Sequence, residues 1–91
     1  RQTDTLENLK TNLKSVYMDI VHSEKVLETK KLAVETASEV YKLETERYQY
    51  SLITLRDLLD AESNLRKSKL DYLTTRLNYY YLISKYEAMF N

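Results

Sequence analysis

From Leu6 onward an apolar residue returns at every seventh position without a miss: Leu6, Leu13, Ile20, Leu27, Val34, Tyr41 and Tyr48. Seven residues make almost two helical turns, so these side chains fall on one side of a helix and form a coiled-coil seam. Nothing in the chain opposes the reading. Its 91 residues include no Gly, no Pro and no Trp, so the usual punctuation of a compact globular fold is missing. The length allows one domain at most.

The second column of the seam begins as Leu9 and Val16 but continues as Ser23 and Lys30, while Val26, Ala33 and Val40 take over on the other side. The stripe is therefore expected to widen and shift. A second seven-residue series starts at Leu58 and runs through Leu65, Tyr72, Tyr79 and Tyr86. Leu55, Leu59, Leu73 and Tyr80 flank it on one side and Leu70 and Leu77 on another, which is wider than a two-stranded seam needs. Spacing of this kind implies left-handed supercoiling. Between the two series the register changes, and Ser51, Thr54 and Asp57 offer side-chain oxygens that can accept from the free N–H groups of a helix start. These signals predict a helix over about residues 4–50, a tight tip at about 50–54 and a second helix over about 55–90. At 1.5 Å per residue the helices would be roughly 65–70 Å and 50–55 Å long. The fold class expected is all-α: a long antiparallel helical hairpin, with one unbroken rod as the alternative.

Two helices share one seam and enclose no core, so the remaining apolar flanks call for a further partner. Nine of the ten aromatic residues are tyrosines, whose rings pack while their hydroxyls stay wet at an interface. Tyr79, Tyr80 and Tyr81 are consecutive and span about 200° of the helix circumference, so they cannot all face one neighbour. The second helix should be touched from more than one side.

Composition removes several function classes. Basic and acidic residues balance at 14 each, without blocks, which disfavours generic binding to nucleic acid or anionic membranes. No stretch approaches the roughly 20 apolar residues of a membrane-spanning helix. With no cysteine and one histidine, His22, neither thiolate metal sites nor disulfides form within the segment, and no metal or other cofactor is expected. Met18 and Met89 are read as packing gap-fillers. The opening RQTDTLENLK has neither an initiator Met nor a signal-peptide core, and the chain reads as a piece of something longer.

The feature left to explain is the run DLLDAE, which sets Asp57 and Asp60 three residues apart just past the tip. On a helical wheel they lie about 100° and 160° from Leu58 on the same side, away from the seam. Asn64, Asp71 and Asn78 continue that polar sector, interrupted by Lys67. Taken locally, Asp57 completes a capping pattern with Thr54, Asp60 can pair with Arg56, and Glu62 can pair with Arg66 on a solvated face. Catalysis by the pair is disfavoured, because no second polar cluster or Gly-rich loop accompanies it. The chain is not expected to be an enzyme.

Residues 47–91 resemble the second periplasmic hairpin and return helix of the TolC family of outer membrane efflux proteins. The likeness rests on Tyr48-x-x-Ser51 at the tip, Asp57-Leu-Leu-Asp60-Ala61-Glu62, the spaced Leu65 and Tyr72, Arg76-x-Asn78-Tyr79, and Asn91 where the family usually has Gly. Residues 31–48, KLAVETASEVYKLETERY, also look like the family's descending helix. The resemblance implies a homotrimer whose hairpins form a hollow α-barrel across the periplasm, joined to a β-barrel in the bacterial outer membrane. In it, the positions matching Asp57 and Asp60 line the pore near its periplasmic entrance, as a ring that favours cations and repels anions. Tyr48 would help hold the closed tip. Ser51, Leu52, Ile53 and Thr54 would meet the hairpin of a periplasmic adaptor protein that links the duct to an inner membrane transporter. Two departures stand at the tip: Ser51 occupies a place usually held by Gly, and Ile53 replaces a basic residue found in some members. The alternatives are a structural coiled-coil scaffold and the hairpin of an adaptor protein itself.

Overall fold

A computed structural model describes residues 2–90, with side chains from residue 6 onward; Asn91, named in the family likeness, lies outside the described residues. Two helices account for nearly all of it: α1, Gln2–Gln49, and α2, Leu55–Ala88. They fold back on each other as an extended hairpin measuring 73 × 16 × 15 Å. Among the described residues there is no strand, and no helix is long and apolar enough to cross a membrane.

The seam follows the heptads of both helices. In α1 the half-buried positions include Leu13, Ile20, Leu27, Val34 and Tyr41, as the seven-residue series requires. Leu6 is exposed because the shorter α2 does not reach it, and Tyr48 is exposed beside the tip. The second column does not shift as expected. It keeps its register through Val16, Ser23, Lys30, Ala37 and Glu44, all buried or half-buried, while Ala33 and Val40 face solvent. In α2 the matching columns are Leu58, Leu65, Tyr72, Tyr79 and Tyr86, and Ala61, Ser68, Thr75, Leu82 and Met89.

The reason becomes clear from the pairing. Tyr17 packs on Tyr86 with ring centroids 6.3 Å apart, and Lys30 Nζ lies 2.8 Å from Asp71 Oδ2. Carried along the heptads, that register sets Val16 across from Tyr86, Ser23 from Tyr79, Leu27 from Thr75, Ala37 from Leu65, and Tyr41 from Ala61. At these layers a large side chain meets a small one, which makes room for Tyr79 over Ser23 and for Tyr41 over Ala61, while Ile20 meets Leu82 and Lys30 meets Tyr72. Ser23, at 8% exposure, is buried beneath this aromatic column without any apolar character of its own. Lys30 fits because its aliphatic stem lies along the seam while its ammonium reaches Asp71. Since Lys30 is half-buried and Asp71 exposed, leaving the pair open to solvent, the bridge contributes less than about 1 kcal/mol.

Met89 takes a seam position, but Met18 is exposed and fills no gap within the hairpin. Among the described residues no side chain is completely buried, and the most enclosed apolar ones are Val16 and Ala61. Along the outer faces, Leu32, Leu43, Leu59, Leu70, Leu73 and Leu77 remain exposed. Of the three consecutive tyrosines, Tyr79 enters the seam and Tyr80 and Tyr81 stay outside.

The tip covers residues 50–54. Ser51 N–H donates to Tyr48 O at 3.0 Å, and Leu52 N–H reaches back to Arg47 O at 2.9 Å. These two bonds close α1 in a Schellman motif, which needs a left-handed residue between them; Ser51 supplies it at φ 60°. Because a side chain makes that conformation costly, Ser51→Gly is expected to stabilise the hairpin by about 1 kcal/mol, less the backbone freedom that glycine adds when unfolded. Thermal unfolding followed by circular dichroism checks this. A lower melting temperature for the glycine variant would show that the left-handed turn carries no such cost.

Candidate functional site at the hairpin tip

Ser51 and Thr54 were both candidates to cap the second helix, and the structure divides the work between them. Ser51 ends α1 through its backbone. Thr54, extended at φ −84° and ψ 162°, starts α2. Its Oγ1 accepts from Asp57 N–H at 3.2 Å, while Asp57 Oδ2 accepts from Thr54 N–H at 3.3 Å, closing a reciprocal capping box. A carboxylate in the first turn also faces the positive end of the helix dipole. Thr54→Ala removes one arm of this box and is expected to cost about 1 kcal/mol of stability. An unchanged denaturant midpoint would show that the cap adds nothing measurable.

Asp57 is therefore held in place by the turn. Asp60, one turn further on, is exposed, and among the described residues it enters no ion pair; the pairing with Arg56 expected from their spacing is not formed. Glu62 does bind Arg66, at 2.9 Å. The two aspartates share the outer polar sector of α2, and the next members of that sector border the groove between the helices. Asn64 and Lys67 line that groove and Asp71 crosses it to Lys30, so the polar stripe is partly an interhelical edge rather than a purely solvated face.

Around the aspartates the tip is unusually apolar for a solvent-facing turn. Tyr50 and Leu52 are 77% and 72% exposed, Tyr48 and Leu55 are also exposed, and Ile53 is half-buried. The site thus presents three or four greasy side chains around the turn, with two carboxylates immediately behind them on one face. That combination suits docking against another protein and attraction of cations. It does not supply a nucleophile with a base, and among the described residues no group of His, Cys, Asp or Glu could hold a metal ion.

Two features escaped the sequence reading, the Lys30–Asp71 bridge and the buried Ala61, whereas the left-handed Ser51 stands at the place where the family likeness sets glycine. Both had a signal, since counting heptads outward from the turn sets Lys30 near Asp71 and Ala61 across from Tyr41. No family model, curated protein or solved structure matches the chain.

Proposed function

We propose that this hairpin is the periplasmic end of a trimeric outer membrane efflux channel of the TolC kind, a passive exit duct for tripartite efflux or type I secretion. The observation that carries the reading is the pair of exposed carboxylates set on one face within a turn and a half of an apolar tip. In a trimer with the tips converging, Asp57 and Asp60 of three protomers bring six carboxylates around one opening, which draws cations in and turns anions away. Tyr48 and the residues from Ser51 to Thr54 form the surface offered to a periplasmic adaptor, itself coupled to an inner membrane transporter. The duct performs no chemistry and needs no cofactor.

A scaffolding coiled coil accounts for Asp57, which the capping box employs, but leaves Asp60 and the exposed tip side chains without a task. An adaptor hairpin explains the apolar tip and not the carboxylates behind it. The test is made on the full-length protein isolated from outer membranes. It is expected to migrate as a trimer and to conduct ions across planar bilayers; a monomer without conductance overturns the proposal.

A further inference from the structure

Lys67 interrupts the polar sector of α2, and neither the turn nor the seam employs it. It stands one heptad after Asp60, so Asp60, Lys67 and Thr74 form one column along the supercoiled helix, all exposed. Asp57 heads the adjoining column, which continues through Asn64, Asp71 and Asn78, exposed as well. A face that presents the two aspartates therefore presents Lys67 too, about 10 Å further from the tip at 1.5 Å per residue.

The charges on this face are not balanced locally. Among the described residues, Asp57, Asp60 and Lys67 enter no ion pair, whereas Asp71 is already held by Lys30 Nζ at 2.8 Å. Across the groove between the helices, the α1 residues that line it with Lys67 are uncharged, Thr29, Ala33, Thr36 and Val40 among them. From the tip inward the face thus carries two negative charges, then one positive charge, then a neutralised pair. The next charge in these two columns is Lys85, about 27 Å beyond Lys67.

We infer that Lys67 limits how far the cation attraction of the entrance reaches. In the trimeric channel proposed above, on which this inference rests, three ammonium groups stand behind the six carboxylates. A cation held at the aspartates is repelled on moving inward, and an anion that has passed them is drawn on. The opening is then a bipolar filter, and its preference for cations is weaker than six carboxylates alone would give. Charges this far apart act on one another only in dilute electrolyte, because the screening length is about 30 Å at 0.01 M salt and about 3 Å at 1 M.

The test uses the full-length protein in planar bilayers, with trivalent lanthanum as the blocking ion. Lys67→Gln is expected to raise the cation-to-anion permeability ratio and to tighten block by at least about threefold at 0.01 M salt, the difference vanishing at 1 M. Lys69→Gln removes the same charge from the opposite flank of α2 and should change neither quantity. Both lysines are exposed, so melting temperatures should stay with that of the unmodified protein. Unaltered selectivity and block in Lys67→Gln, or equal changes in Lys69→Gln, overturns the inference. If Asp57→Asn with Asp60→Asn relieves block in the same recordings, the proposed channel survives that failure. A full-length protein that forms no conducting trimer overturns both.

Discussion

Replacing Ala61 by leucine is expected to unfold the hairpin at a lower temperature than any single change on its outer faces. Ala61 is 7% exposed and sits across from Tyr41, one of the large-against-small layers nearest the tip. Ala61 borders the open groove between the helices on one side, but on the seam side three extra carbons crowd Tyr41, and overfilling a packed site costs about 1–3 kcal/mol. At this chain length each kcal/mol moves the midpoint by about 4–8 °C. The relief open to the molecule is to push α1 away from α2 beside residues 50–54, so the loss should come with a splayed tip. Thr74→Leu, on the exposed side of α2, is the comparison and should shift stability by no more than about 0.5 kcal/mol. Thermal denaturation followed by circular dichroism separates the two. Equal midpoints would show that the seam near the tip is looser than the layer pairing requires.

The second large effect concerns conduction. If the full-length protein forms the proposed trimeric channel, Asp57→Asn with Asp60→Asn should relieve block by multivalent cations by roughly tenfold or more, since each 1.4 kcal/mol of lost attraction is one order of magnitude in affinity. Cation selectivity should fall with it. The asparagine at position 57 keeps an oxygen able to accept from Thr54 N–H, so the turn should survive while the charge goes. Melting temperature measured alongside block therefore distinguishes a lost ring of charge from a collapsed tip. Block unchanged in a well-folded double variant would remove these residues from the constriction and leave Asp57 as a helix cap alone.

Much of the architecture was legible because helix and seam are written in periodicity. The unbroken column from Leu6 to Tyr48, the second series from Leu58 and the change of register between them give two helices and a turn without any tertiary information. The missing part was the relation between the columns. Ser23 and Lys30 look like breaks in the apolar stripe when α1 is read alone, and the stripe was expected to move to Val26, Ala33 and Val40. Facing Tyr79, Ser23 is the correct size, and Lys30 lays its stem along the seam while its ammonium reaches Asp71, so the stripe stays where it was. At the tip, the capping role of Thr54 follows from local spacing. The left-handed backbone at Ser51 does not follow from the residue itself, and only the family likeness, which sets glycine at that place, pointed to it. Asp57 and Asp60 show the same limit: their shared face is a local property, and what that face meets is not written in the hairpin.

The layered pairing has a consequence for how such a hairpin tolerates change. Where a large residue faces a small one, as Tyr41 faces Ala61 and Leu65 faces Ala37, the two are constrained as a couple and not as individuals. A large residue can migrate from one helix to the other if a small one returns in exchange, leaving the rod's diameter intact while both positions lose their original identity. The turn is spared such freedom, because Ser51 and Thr54 answer to the backbone and have no opposite number with which to trade.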